Sequence, residues 1–341
     1  MTPNPNLPTT SAIEVRPPRL TIPGLAVDDL WLAPDAATLA VLTGADSTGA
    51  SSLLFLDTTD GAERGAIALG ADEAAVLAGN WSAAMSYDRR TGEIAVRRTV
   101  TGEVVGRLNP HRGRTVHALA IAGQGNVGAS VGAESGVVLW RPGDGAVLAA
   151  VTPASMDLEF CALTFSPNGR FLAVRTAADI LELWTTAPLQ LSAILLETGP
   201  PVFSADGRWL AVAGAAITLY DLHDDLATET LPGHYPLAFT PDGALLIAAA
   251  PDGSTEIWRT DRLQPFAHLR GGNARLSPDG GVLVVTGTTS DLVQAEPTGR
   301  VVARLSGIRG EVEALAVGPA GAVVVAACSD AAIRVWRSGT A

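Results

Sequence analysis

The chain has 341 residues, 47% hydrophobic and 17% charged, so it can fill a large core and is not a disordered chain. Its formal net charge of −12 repels polyphosphate and anionic lipid, which argues against nucleic acid and membrane surfaces as general partners. All 23 basic residues are arginines, which excludes the P-loop, protein-kinase and Schiff-base chemistries that require a lysine amine.

From the N-terminus, residues 1–11 read as a disordered tail with no apolar stretch behind a basic start, so no secretory signal is expected. No apolar run anywhere approaches the length of a membrane-spanning helix, and a cytoplasmic protein is expected. Residues 12–24 include RLTIPG (19–24), which resembles ARLSG (303–307) near the far end of the chain.

A turn mark then recurs. It appears as APDA ending at Ala36, a degraded LAGNW (77–81), AGQG at Gly125 and SPNG at Gly169. SADG at Gly207, TPDG at Gly243, SPDG at Gly280 and GPAG at Gly321 follow. From Gly125 onward the steps are 44, 38, 36, 37 and 41 residues. Asn-Gly and Asp-Gly supply the positive φ of a tight hairpin, and the nearly continuous apolar flanks mark strands covered on both faces.

About 15 residues after each turn comes a second mark. It reads LLFL to Leu56, VVLW to Trp140, LELW to Trp184, ITLY to Tyr220, TEIW to Trp258 and IRVW to Trp336. A fourth strand follows, such as AVLAAV (146–151) or RVVARL (300–305). Four short antiparallel strands per unit of roughly 40 residues is one propeller blade, and neighbouring blades must bury its faces.

The predicted fold is all-β: one β-propeller over residues 12–341 with eight four-stranded blades. Their boundaries fall near 25–70, 71–110, 111–154, 155–199, 200–233, 234–271, 272–307 and 308–341. Seven blades is the alternative if residues 71–110 do not form a full one. The last unit lacks its fourth strand, and residues 12–24 are predicted to supply it and close the ring.

The repeats resemble those of WD-repeat β-propellers, in particular bacterial ones rich in SPDG turns. SDAAIRVW (329–336) is the best unit, with Asp330 six residues before Trp336, and Asp252 keeps that spacing before Trp258. The Trp-Asp pair itself is absent: the aromatics read Trp140-Arg141, Trp184-Thr185, Trp258-Arg259 and Trp336-Arg337. Only Tyr220-Asp221 and Leu56-Asp57 keep the acid. The family's Gly-His pair is read once, at Gly233-His234, so its His-to-Asp hydrogen-bond network is expected to be mostly missing.

Several catalytic-looking motifs fail on context. GQGNVG (123–128) fits a dinucleotide fingerprint, but a strand follows where a helix is required. Ser130 of GASVG lies within a strand rather than at a strand-to-helix elbow. Asn80-Trp81-Ser82 is a formal sequon without an export signal. Trp31, Trp81 and Trp209 read as packing between blades. Cys161 and Cys328 fall in the fourth and eighth blades, across the ring, which argues against a disulfide. No cofactor is expected.

Two features stand out. Aligned inner strands place Asp28, His117, Cys161, Tyr235 and Glu313 at one position, rimming the central channel. Residues 89–114 hold Arg89, Arg90, Arg97, Arg98, Arg107, Arg112 and Arg114 against only Glu93 and Glu103. Arg89 and Arg90 are predicted in a loop between second and third strands, Arg112 and Arg114 in a loop between blades, on the same face as the rim.

The leading reading is a non-enzymatic interaction scaffold, as the resemblance to WD-repeat proteins also implies. Its partner surface is Arg89, Arg90, Arg112, Arg114, His117 and Tyr235, and its partner is a protein with an acidic segment. The alternative is a metal-dependent hydrolase, lactonase-like protein or ligand-binding protein at the channel mouth, with Asp28, His117 and Glu313 as metal candidates. A subunit fixed within a larger complex is the third reading, which the sequence leaves open.

Overall fold

A computed structural model describes residues 13–132, 136–151, 160–176, 180–196, 199–224, 226–233, 235–287 and 291–338. They form eight sheets arranged as the blades of a ring, each built on consecutive antiparallel strands, with N-terminal strands added to the last two. Blade 1 is Val27–Leu32, Thr38–Thr43, Ser51–Asp57 and Glu63–Leu69. Blade 2 is a complete sheet of Glu73–Leu77, Ala84–Asp88, Ile94–Arg97 and Val104–Leu108, which decides for eight blades over seven. The inner strands of blades 3 to 8 are Ala118–Ile121, Phe160–Phe165, Pro201–Phe203, Tyr235–Phe239, Arg275–Leu276 and Val312–Val317.

The core is not one body. It divides into eight apolar wedges, each between consecutive blades and each built from both. Blades 8 and 1 share one such wedge, in which Val325 and Val335 meet Leu39 and Val41. The remaining wedges repeat this around the circle. This is the physical reason for the apolar runs: each sheet is covered on both faces, so alternation disappears.

The aromatic that ends the third strand has one job throughout. Trp140, Trp184, Tyr220, Trp258 and Trp336 are buried, and each packs into the wedge shared with the preceding blade. Leu56 does the same in blade 1. Trp31 and Trp81 pack between blades 1 and 2, with Trp81 edge-on to Phe55 at 6.2 Å. Trp209 packs between blades 5 and 6 under the Arg208 guanidinium.

Ring closure uses the N-terminal segment, divided in two. Leu20–Pro23 pairs antiparallel with Ala332–Arg337 and completes blade 8. Glu14–Arg16, predicted as part of the same closing strand, pairs parallel with Val301–Ser306 and makes blade 7 five-stranded. Pro17 and Pro18 separate the two pieces; with no N–H to donate and a fixed φ, they end one strand and let the chain step to the next blade. Arg337 then bonds the carbonyl and hydroxyl of Thr58, tying blade 8 to blade 1.

The repeated turns explain their own composition. In blade 5 the Ser204 hydroxyl donates to Asp206 Oδ1 at 2.5 Å and accepts the Trp209 N–H at 2.9 Å, while Asp206 Oδ1 accepts the Arg208 N–H at 3.0 Å. Thr240 and Asp242 repeat this in blade 6, and Ser166 and Asn168 in blade 4. Three pairs of neighbouring turns are also bonded to each other. Asn168 Nδ2 donates to the Asp206 carbonyl, Asn80 Nδ2 to the Gln124 carbonyl, and the Ala320 N–H to Asp279 Oδ1. Gly207, at φ +71, is pressed so closely that a Cβ there would lie 2.0 Å from Asn168 Nδ2.

Candidate functional site: the arginine-bearing face of blades 2 and 3

Inner strands begin on one face, called the top here. Antiparallel order brings the loops between blades, and those between second and third strands, to that same face. In blade 2 the loop after Ala84–Asp88 is closed by Asp88, whose Oδ1 accepts the N–H groups of Arg90 and Thr91, both at 2.8 Å. These bonds, the one from Thr91 foremost, hold the Asp88 carboxyl below the usual range. The loop displays exposed Arg89 and Arg90.

The loop from blade 2 to blade 3 carries exposed Arg112 and Arg114. It is locked by Asn109, whose Oδ1 accepts the Gly113 N–H at 2.8 Å and whose Nδ2 donates to the Thr91 carbonyl at 3.4 Å. The two loops are joined directly: the Val116 N–H donates to the Arg89 carbonyl at 2.8 Å. Gly92 lies so close to the Arg114 carbonyl that a Cβ would be 2.3 Å from it. Arg89 also hydrogen-bonds Tyr87, a phenol that burial pushes upward in pKa. The four arginines therefore stand on a braced platform.

The basic run divides. Arg97 donates to Ser86 Oγ and the Gly102 carbonyl, Arg98 pairs with Glu103, and Arg107 pairs with Glu93. These three are engaged within blade 2; Arg89, which also bonds Tyr87, and Arg90, Arg112 and Arg114 are the exposed arginines of the two loops.

Beneath the platform lies a residue that the sequence reading missed. His111, only 2% exposed, places Nε2 2.6 Å from Ser130 Oγ, which also accepts the Trp140 indole N–H at 3.0 Å. An indole N–H can only donate, so the Ser130 oxygen accepts from Trp140 and shares its second bond with His111 Nε2. Burial pushes the imidazole down to about 4, so it is neutral at pH 7. The three residues come from a loop and two strands, and His111 follows Pro110 rather than glycine, so a search for Gly-His passes over it. The His234 of Gly233-His234 lies outside the described residues.

The predicted rim assembles only in part. In blades 1, 4 and 8 the inner strand has a register shift, and Asp28, Cys161 and Glu313 occupy the extra position. Such bulges re-aim a side chain, and Asp28 and Glu313 are exposed. In blade 6 the shift falls at Leu237 instead, so Tyr235 is not equivalent to the other three; it opens its strand 45% exposed. Tyr235 belongs to the blade opposite blade 2, across the channel from the arginines. His117 is half-buried just ahead of Ala118–Ile121, with its N–H on the Val131 carbonyl at 2.8 Å.

Among the described residues no three of His, Cys, Asp and Glu come close enough to hold a metal ion, so Asp28, His117 and Glu313 are not gathered into a metal site. Cys328 is buried and its thiol is pushed up by burial. The Cys161 side chain lies outside the described residues, and with it the predicted absence of a Cys161–Cys328 bond. No helix among the described residues is long and apolar enough to cross a membrane.

Residues 299–337 match the family model described as "WD domain, G-beta repeat" (WD40). The match spans the outer strand of blade 7 and three strands of blade 8, so the sequence repeat is offset from the blade by one strand. No curated protein matches the chain. Among solved structures, the computationally designed Ika8 protein is similar at TM-score 0.69 and 16% identity, covering 96% of this chain and 99% of that one. The C-terminal WD40 domain of Sif2 is similar at TM-score 0.69 and 14% identity, covering 96% and 100%.

Proposed function

We propose that this eight-bladed β-propeller, a WD-repeat architecture whose final repeat is a WD40 repeat, is a non-enzymatic cytoplasmic scaffold that binds an acidic segment of a protein partner. WD40 domains generally mediate protein–protein interactions. The observation that carries the finer reading is the bracing of the two arginine loops by the Val116–Arg89 bond at 2.8 Å. A partner that docks on a surface already fixed in place loses less entropy on binding. Arginine forks suit carboxylates, and four of them on one face of an acidic chain make a local positive field that steers an acidic segment. His117 borders this platform; Tyr235 lies across the channel and would contact only a partner that spans the mouth.

A labelled glutamate-rich peptide tests this. It should bind the wild-type protein with an affinity that falls as salt is raised. Changing Arg89, Arg90, Arg112 and Arg114 together to Glu should abolish binding with the melting temperature unchanged. In native co-purification the same variant should lose a stoichiometric protein partner. Equal peptide affinity in wild type and variant would sink the assignment.

A further inference from the structure

Among the described inner strands one carries an arginine, and the scaffold reading does not use it. Arg275 begins the inner strand of blade 7, paired with Val284. The equivalent positions in the flanking blades are Ala238 and Ala316, and in blade 1 Trp31, by the same strand pairing. A charged side chain thus stands where its immediate neighbours are small. Its Nε donates to the Leu315 carbonyl at 3.3 Å, and among the described residues no carboxylate lies within ion-pair distance of it.

Arg275 lines two cavities, of about 220 and 390 Å³, that share it and Leu315. The first reaches Asn273 and Glu313 near the start of the inner strands. The second passes Trp31 and ends at Gly79 and Trp81 beside the blade 2 turn. Together they fall within the size range of a small-ligand site, lined by apolar side chains and by the polar Asp29, Asn273, Glu313 and Arg275.

We propose that this cavity binds a small aromatic carboxylate, with its carboxylate on the Nη edge of Arg275 and its ring among Trp31, Leu315 and Ala316. The Nε bond to Leu315 holds the guanidinium and leaves its two terminal nitrogens for a bidentate pair. A single cation with Asp29 and Glu313 lining the same cavities, in a chain of net charge −12, favours a monoanion over a phosphate dianion. The tryptophan supplies a flat face for an aromatic body.

The experiment is ligand-observed fluorine NMR on the full chain with 4-fluorophenylacetate. Wild type should bind with a dissociation constant on the order of 1 mM, and Arg275→Gln should weaken this roughly tenfold or more. Ala316→Leu fills the cavity without touching the charge and should also remove binding, which keeps the test alive should the arginine variant not fold. The top-face Arg89, Arg90, Arg112 and Arg114 variant should bind as wild type, so the two assignments fail separately. The proposal is overturned by any of four results: no binding to wild type at roughly tenfold above that constant, equal binding by both cavity variants, equal binding of the methyl ester, or displacement of the probe by inorganic phosphate.

Discussion

The buried imidazole of His111 makes the fold sensitive to acid before its carboxylates titrate. In the folded chain His111 has a pKa of about 4 against an ordinary 6.5, because burial disfavours its charged form. Protonation would also place a charge against the buried Ser130–Trp140 pair. The unfolded state therefore takes up the proton first. The stability this group contributes is intact above pH 6.5 and is lost as pH falls from 6.5 towards 4. At pH 4.5 the unfolded imidazole is almost fully protonated and the folded one only about a quarter, which integrates to about 2.5 kcal/mol lost relative to pH 7. At about 2.1 cal/mol/K of unfolding entropy per residue, that is about 3 °C in melting temperature for a chain of this length. The assay is thermal unfolding at pH 7 and pH 4.5 for wild type and His111→Gln. The variant starts lower at pH 7, because a buried bond is altered, but should lose about 3 °C less than wild type between the two values. An equal loss in both proteins would refute a neutral buried imidazole. Asp57 and Asp88, held low mainly by bonds from Thr59 and Thr91, add acid sensitivity of the same sign, but at lower pH.

Other consequences can be measured directly. Ser130→Ala strands the buried His111 Nε2 and Trp140 N–H at once and should cost about 2–4 kcal/mol in denaturant unfolding. Removing residues 1–24 exposes the third strand of blade 8 and the outer strand of blade 7, so the truncated chain should aggregate on size exclusion and melt lower than the full chain. Gly207→Ala forces a side chain into the left-handed region and against the Asn168 amide. A cost of about 1–3 kcal/mol is expected, with no loss of acidic-peptide binding on the opposite face.

What the sequence disclosed is what repeats locally. Turn marks and third-strand aromatics disclosed the blade and the count because each lies within a few residues of its own hairpin, and the closing strand showed through its likeness to ARLSG and the missing strand of the last unit. It concealed whatever depends on a residue from another strand or another blade. His111 meets Ser130 and Trp140 only after the chain has folded back twice. Tyr235 aligned with Asp28 and Glu313 by distance to a leucine, yet one bulge displaced by two residues separates them, and no composition signal marks a bulge there. Arg275 sat unnoticed beside an SPDG turn because its importance comes from the neighbours it lacks across the channel. The basic run was visible, but that Arg97, Arg107 and Arg98 turn to Ser86, Glu93 and Glu103 was not.

The contacts between successive turns have a consequence for how such a protein can vary. Asn80, Asn168 and Asp279 reach from one blade's turn to the next, and turn glycines press against the preceding turn, so the bottom face behaves as a hoop. A residue inserted into any one of these turns displaces two blades, not one. On the opposite face the two arginine loops are likewise tied to each other, by the Val116–Arg89 and Asn109–Thr91 bonds, so neither can lengthen without disturbing the other. Novelty can therefore accumulate in side chains rather than in loop length, and a change meant to give this ring a new specificity belongs at the exposed arginine positions with both loops kept at their present length.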